Sequence, residues 1–135
     1  SLTIRDIEIF KNTPVWDLVL AVDDDNVSEV KNILKNNPNI VNYQEPFYGT
    51  TCLMWAMSNR KYKTAQALLE NGANPDIIDN TGGFALFDAI DFKWGDSRGD
   101  EDAKYVKLLL KYKANPNLNY CSPKIEGETS SVECG

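Results

Sequence analysis

Side chains that could carry out catalysis are scarce in this sequence. It contains no histidine, the residue that serves most often as a general base and as a metal ligand. Its three cysteines, Cys52, Cys121 and Cys134, therefore lack the histidine that normally activates a cysteine nucleophile. Neither a G-x-S-x-G sequence nor a phosphate-binding glycine loop is present. We therefore predict no catalytic residue, no cofactor and no metal site.

Carboxylates are the exception, because 20 Asp and Glu residues stand against 14 Lys and Arg residues. The run Asp23-Asp24-Asp25 lies in a predicted turn and lacks the alternating acids and the distant glutamate of a calcium loop. Acid–base catalysis needs two carboxyl groups in contrasting environments. A hydrolase that uses carboxylates is therefore a remote alternative, which an apolar pocket holding two such acids would favour.

The composition bounds the class of protein. Apolar residues make up 42% of the 135 residues, which is enough for one domain with a packed core. The net charge of −6 argues against a nucleic-acid backbone as partner. No apolar run approaches the length that would insert this chain into a membrane.

The stretch from Thr51 to Asp76 predicts two short helices joined by a tight polar turn. The Thr51 hydroxyl can cap the first helix by accepting a free backbone N–H. Gly72 suits the end of the second helix, because glycine adopts the left-handed cap conformation without a Cβ penalty. The apolar residues at helical spacing are Leu53, Ala56 and Met57 in the first helix and Ala65, Leu68 and Leu69 in the second.

This unit, from Gly49-Thr50-Thr51-Cys52-Leu53-Met54 to the closing segment Ala67–Asp76, resembles the ankyrin repeat. Cys52 and Met54 replace the proline and histidine that are usual in the family. Leu18 and Leu86 correspond to Leu53 on either side, and Gly82 follows Gly49 by the period of the family. We expect an all-α, ankyrin-like solenoid with hairpin-like connecting fingers. Its predicted parts are an N-terminal cover at 1–12, repeats at 13–48, 49–81 and 82–119, an insertion near 93–100, and an irregular segment or the start of a fourth repeat at 120–135.

Several helix ends can be predicted in detail. Thr13-Pro14 is typical of a helix start with proline at the first helical position. Asn26 followed by Glu29 can form a capping box. Lys113 stands where Gly72 stood, so the same cap would require a left-handed lysine at a cost of about 1 kcal/mol. A fragment that ended here would expose the far side of the third repeat, with Leu109 half covered. We therefore predict either that the natural chain continues or that residues 120–135 fold back as a cover.

The resemblance implies that the partner is another protein, bound through finger tips and the concave helix surface. The rings of the first finger could instead fold back on neighbouring fingers, and Trp94 could fold onto its own repeat. The predicted contact residues are Phe47, Tyr48 and Thr50 at one tip, Asn80 and Thr81 at the next, Ser58, Asn59, Asp91 and Phe92 at the inner helix ends, and Trp94 in the inserted loop.

Two further questions stay open from the sequence. The partner could be an enzyme that this chain inhibits, in the manner of an immunity protein, because an acidic surface steers basic targets. Cys121 and Cys134 can form a disulfide in an oxidising compartment or stay free thiols in a reducing one. The sequence favours neither a cytoplasmic nor an exported location.

Overall fold

The computed structural model describes residues 2–90 and 99–118, which form helices and turns without a β-strand. Short 3-10 helices lie at Ile7–Phe10 and Pro38–Ile40. The predicted all-α fold is confirmed. Within the described ranges the α-helices are α1 (Trp16–Asp23), α2 (Val27–Asn36), α3 (Cys52–Ser58), α4 (Tyr62–Glu70), α5 (Ala85–Ala89) and α6 (Gly99–Lys111).

The helices pack as three hairpins, α1 with α2, α3 with α4 and α5 with α6. α1, α3 and α5 follow one another in one layer, and α2 packs against α4 in the other. The rings of Tyr62 in α4 and Tyr105 in α6 meet edge to face at 5.4 Å, which extends the second layer. Leu18, Leu53 and Leu68 are at most 1% exposed in the shared core. Because the core runs through neighbouring hairpins, no hairpin buries its apolar side alone.

The helix caps follow the local sequence. The Thr51 hydroxyl accepts the Met54 N–H at 3.2 Å, and Asn26 Oδ1 accepts the Glu29 N–H at 3.1 Å. Both bonds satisfy donors that a helix N-terminus leaves without a partner.

The C-terminal ends of α4 and α6 use one geometry with two residue types. Gly72 has φ 96° and Lys113 has φ 68°, so the expected left-handed lysine is confirmed. The N–H groups of the residues that follow, Ala73 and Ala114, each donate to a helix carbonyl at 3.0 Å. The cap is therefore retained at Lys113 despite the strain of a Cβ in this region.

The predicted start of the first helix is wrong by two residues. α1 begins at Trp16, and Pro14 lies in the preceding turn. The Thr13 hydroxyl donates to the Phe10 carbonyl at 2.6 Å and accepts the Val15 N–H at 3.3 Å. These bonds hold a separate turn that joins the 3-10 helix at Ile7–Phe10, of which Ile9 and Phe10 are buried, to α1.

Side-chain amides and carboxylates tie the hairpins together beside the helix C-termini. Asn42 Oδ1 accepts the Asn74 N–H at 2.7 Å, and Asp76 Oδ1 accepts the Asn115 N–H at 2.8 Å. The same kind of bond thus links the first hairpin to the second and the second to the third.

The last hairpin leaves an apolar groove of about 320 Å³ on its far side. The expectation that Leu109 is half covered is wrong, because Leu109 is fully buried and faces the core. The exposed positions are instead Phe87, Ile90 and Leu110, at 39–44%. The groove is lined by Phe84, Leu86, Phe87, Ile90, Val106, Leu110, Pro116 and Leu118.

Candidate functional site

A buried carboxylate organises the first finger, residues 43–50. Glu45 is 1% exposed, and its Oε1 accepts the N–H groups of Tyr48 at 2.8 Å and Thr50 at 2.9 Å. Its other oxygen accepts the Phe47 N–H. The Glu45 N–H donates to the Thr50 carbonyl at 3.0 Å, which closes the turn. The finger therefore has a fixed backbone although it contains no strand.

The second finger, residues 76–83, repeats this design with an aspartate. Asp79 is 6% exposed. Its Oδ1 accepts the Thr81 N–H at 2.8 Å, the Thr81 hydroxyl at 2.6 Å and the Gly83 N–H at 2.9 Å. The Asp79 N–H in turn donates to the Gly83 carbonyl at 2.9 Å.

The two fingers lie side by side. The Asn80 N–H donates to the Tyr48 carbonyl at 2.8 Å, and Gln44 Nε2 donates to the Gly49 and Ile78 carbonyls at 3.0 and 3.2 Å. Gly49 has φ 71°, and a Cβ there would meet Asn80 Oδ1 at 3.0 Å. A larger residue at Gly49 would therefore be strained and would push the fingers apart.

The predicted finger-tip residues differ in accessibility. Phe47 is 60% exposed at the first tip, Asn80 is exposed at the second, and Tyr48 and Thr81 are half-buried. The prediction that Thr50 is a contact residue is wrong, because its side chain is only 2% exposed. Thr50 faces the interior, where the backbone N–H binds Glu45.

The predicted inner helix ends are only partly described. Ser58 and Asn59 are half-buried at the end of α3, where Asn59 Nδ2 donates to the Trp55 carbonyl at 3.0 Å. Outside the described residues lie Asp91, Phe92, Trp94, Cys121 and Cys134.

One position of the inner layer recurs in α1, α3 and α5 with different side chains, namely Leu20, Trp55 and Asp88. Leu20 is 38% exposed, whereas Trp55 is 3% exposed because the N-terminal segment lies over it. Trp55 Nε1 donates to the Arg5 carbonyl at 3.1 Å. The Tyr48 hydroxyl donates to the Leu2 carbonyl at 2.6 Å.

Asp88 carries the strongest electrostatic perturbation on this side of the molecule. Burial, and to a smaller extent the nearby charge of Asp79, raises its pKa to about 7. The positive charge of Arg5 and a hydrogen bond with Ser58 oppose this shift of the pKa. Asp79 lies in the second finger and Asp88 in α5. Because these two residues interact, the fingers and the inner helices form one continuous surface. We call the two fingers together with Leu20, Trp55 and Asp88 the finger face.

The remaining reactive groups are placed for folding. Burial raises the pKa of the Cys52 thiol to about 12, so this thiol stays protonated at neutral pH. Asp79 and Asp88 interact, but one oxygen of Asp79 already accepts three hydrogen bonds from donors of the second finger. Within residues 2–90 and 99–118, no group of His, Cys, Asp and Glu side chains has an arrangement that could hold a metal ion. No helix in the same ranges is long and apolar enough to cross a bilayer.

Sequence reasoning missed the residues that shape this surface. Glu45 and Asp79 could have been found, because an acid recurs close to the repeat period and shortly before a glycine in each finger. Trp55 and Asp88 share a register position, but their side chains have nothing in common. Their link to Arg5 depends on how the N-terminal segment crosses the stack, and no local pattern encodes that path.

Stacked helix hairpins joined by projecting fingers define a helical-repeat binding protein. The chain belongs to the ankyrin repeat family, whose model for three copies of the repeat matches residues 18–120. The ankyrin repeat is in general a protein–protein interaction module and a binding fold rather than a catalytic one.

Relatives and solved structures agree with this assignment. An ankyrin repeat protein of Acanthamoeba polyphaga mimivirus is 32% identical over 78 residues, which are 58% of this chain and 17% of the viral protein. One of Fowlpox virus (strain NVSL) is 31% identical over 93 residues, 69% of this chain and 25% of that protein. The chain thus spans about a quarter or less of these relatives. The crystal structure of the ankyrin repeat protein EF0377 matches with a TM-score of 0.57 at 23% identity, over 82% of this chain and 51% of that one.

Proposed function

We propose that this chain binds another protein through the finger face. Phe47 carries the proposal, because an aromatic side chain that is 60% exposed stands on a turn whose backbone is fixed by buried Glu45. Exposed aromatic residues commonly anchor interfaces, and a rigid loop loses little conformational entropy on binding.

The other proposed contacts surround this anchor. Tyr48 continues the first tip, and Asn80 and Thr81 lie beside it because the two fingers are hydrogen-bonded to each other. Ser58 and Asn59 extend the surface toward the inner helix ends. Asp91, Phe92 and Trp94 stay proposed contacts outside the described residues.

The test compares two truncations of exposed apolar side chains. Phe47→Ala should weaken capture of a partner from cell lysate, and the Kd for the identified partner should rise at least about tenfold, since interface anchors contribute more than about 1.4 kcal/mol. Leu110→Ala removes a side chain that is 44% exposed on α6, away from the fingers, and should leave capture unchanged. The opposite ranking of the two variants would move the binding site to the far end of the stack.

An inhibitory role is the second candidate, and the net charge of −6 favours it, because an acidic protein associates rapidly with a basic target. The two roles differ in one observable. An inhibitor abolishes the activity of the captured partner in proportion to its occupancy, whereas an adaptor leaves that activity intact.

A further inference from the structure

The N-terminal segment already occupies part of the finger face. Residues 2–6 pass over α3 and the first finger, where two main-chain carbonyls accept hydrogen bonds from side chains of the face. The Leu2 carbonyl accepts from the Tyr48 hydroxyl at 2.6 Å, and the Arg5 carbonyl accepts from Trp55 Nε1 at 3.1 Å. The segment is closed on itself as a turn, since the Asp6 N–H donates to the Thr3 carbonyl at 3.0 Å.

This segment is held less firmly than the chain that follows it. Leu2, Thr3 and Arg5 are exposed, whereas Ile9 and Phe10 are fully buried beside α1. Release of residues 2–6 would therefore leave the buried side chains of Ile9 and Phe10 in place. Release would uncover the Trp55 ring and leave its N–H and the Tyr48 hydroxyl free to bind another acceptor.

Charge complements these two hydrogen bonds. The guanidinium of Arg5 lies in the field of Asp88 in α5, and Asp79 of the second finger adds a second negative charge beside Asp88. Ser58 of α3 contributes a hydrogen bond to Asp88 from the remaining side. The surface thus combines two side-chain donors that contact the segment with the negative charges of Asp88 and Asp79 nearby.

We propose that residues 2–6 form a displaceable strap, and that the partner replaces this strap with a peptide turn of the same chemistry. The partner segment presents two main-chain carbonyls to Tyr48 and Trp55 and a cationic side chain, best an arginine, to Asp88 and Asp79. This inference rests on the proposed function of the finger face and names what the partner must bring to it. A strap that hides the competent surface reduces the apparent affinity of the partner to its intrinsic affinity multiplied by the fraction of time that the strap is open.

The strap is tested in the full chain by the exchange of the Trp55 indole N–H with deuterium, followed by NMR. Arg5→Ala should accelerate this exchange several-fold, while the backbone amides of buried Leu34 and Leu68 keep their protection. Arg5→Lys, which retains the positive charge, should change it much less. Unchanged exchange in Arg5→Ala would overturn the strap, and so would an equal loss of protection at all three sites.

Protonation of Asp88 provides an independent readout of the same contact. Below about pH 7, Asp88 loses the negative charge that faces Arg5, so the indole N–H resonance of Trp55 should move toward its position in Arg5→Ala. Asp88→Asn should abolish this movement, whereas Asp17→Asn on the exposed side of α1 should not. If the Trp55 resonance of the unaltered chain stayed constant as the pH fell below about 7, this result would contradict the role of Asp88.

The chemistry of the partner is tested with a blocked peptide, Leu-Thr-Ile-Arg-Asp, added to the Arg5→Ala chain at millimolar concentration, which is about what a short tether supplies. It should return the Trp55 resonance toward its position in the unaltered chain, and the peptide with alanine in place of arginine should not. Equal effects of both peptides, or no effect of either, would overturn the proposed recognition of a cation.

The outcomes separate this inference from the proposed function. If Arg5→Ala frees Trp55 but neither Arg5→Ala nor Phe47→Ala alters partner capture, the strap stands and the proposed function fails. If Phe47→Ala weakens capture while Arg5→Ala has no effect on Trp55, the proposed function stands and the strap fails. Success of both predicts that Arg5→Ala captures several-fold more partner than the unaltered chain.

Discussion

Two contacts join the three hairpins, one between the first and the second and one between the second and the third. Both contacts bury apolar side chains, but the residue that completes each contact is negatively charged in the first and positively charged in the second. The residue that ends the turn within a hairpin has a left-handed backbone in both, with φ 50° at Asp25 and φ 58° at Arg60. Asp25 Oδ1 accepts the N–H and the hydroxyl of Thr64 at 3.1 and 3.0 Å, and so caps α4 of the next hairpin. Arg60 instead forms an ion pair with Asp102 of α6 and donates to the Ala89 carbonyl at 2.8 Å.

The second contact is also the more aromatic and the more charged of the two. Arg60 lies over the Tyr105 ring at 4.8 Å, and Lys104 lies over the Tyr62 ring at 4.1 Å. Asp88, whose pKa is raised to about 7, lies at this same contact. The comparison shows that one backbone position can join adjacent repeats by helix capping or by ion pairing. An ion pair also spans the first contact, where Lys61 Nζ lies 3.9 Å from Asp23 Oδ1, but this pair is more exposed than the Arg60–Asp102 pair and should depend less on its charge.

The largest effect should come from the core that the two contacts share. Leu68→Ala removes a fully buried side chain in the central hairpin and should cost about 2–5 kcal/mol of unfolding free energy. Urea denaturation should show all three hairpins unfolding together, because each depends on its neighbour. Leu110→Ala, at a half-exposed position, should cost less than about 1 kcal/mol. Loss of the central hairpin alone would show that the two contacts are not coupled.

Removing the guanidinium tests the second contact by itself. Arg60→Ala should cost about 1–3 kcal/mol, because the Asp102 carboxylate and the Ala89 carbonyl each lose a hydrogen bond to a charged donor. In the unaltered chain, salt should reduce stability toward that of Arg60→Ala, since added ions screen the pair. Arg60→Lys keeps the charge and should recover part of the loss. Equal urea midpoints for all three chains at low salt would show that the ion pair adds no stability.

Asp88 should make the second contact weaken as the pH rises. The pKa of Asp88 is raised from 3.8 to about 7 in the folded chain, so the folded state binds more protons than the unfolded state between these values. Stability is therefore highest below about pH 4 as far as this group is concerned, and it is lost as the pH rises to about 7.

The matching variant isolates this group. Between about pH 5 and about pH 8, Asp88→Asn should gain about 1–3 kcal/mol relative to the unaltered chain, since one pKa unit corresponds to about 1.4 kcal/mol. Asp17→Asn, at an exposed position, should show no such gain. An equal difference in urea midpoint between Asp88→Asn and the unaltered chain at both pH values would rule out the raised pKa.

The smallest effect belongs to the cap at the first contact. Asp25→Ala should cost about 0.5–2 kcal/mol, as the loss of a helix N-cap usually does. Asp25→Asn should cost less, because its amide oxygen accepts the same N–H and asparagine tolerates a left-handed backbone. Both losses should depend on salt less than the loss in Arg60→Ala, because a backbone hydrogen bond remains the main interaction of Asp25. A salt dependence of Asp25→Asn as large as that of Arg60→Ala would mean that charge, not capping, stabilises both contacts.

The sequence predicts what repeats and leaves open what does not. Leu18 and Leu53 occupy corresponding positions of two repeats and are buried as predicted, and Lys113 could be expected to be left-handed because it aligns with Gly72. Asp25 and Arg60 occupy the same register position in two repeats, but their different side chains do not indicate that both join adjacent repeats. The division into repeats at 13–48, 49–81 and 82–119 stays a prediction.

The candidate surface was predictable at its tips and not at its base. Phe47 is identified by its position in the finger and its exposed ring. Thr50 is polar and would suit a contact residue equally well, yet the turn around Glu45 directs the Thr50 side chain inward. The strap over Trp55 joins residues about 50 positions apart in the chain, and such a contact follows from the assembled stack rather than from any local sequence pattern.

Mapping the contact of the captured partner on the full chain tests the proposed binding surface most directly. We expect backbone amide shifts in NMR spectra to concentrate at Phe47, Asn80 and Thr81, together with a shift of the Trp55 indole N–H as the partner replaces the strap. Shifts confined to the opposite side of the stack, at Lys31, Lys63 and Gln66 of α2 and α4, would contradict the finger face as the site of binding.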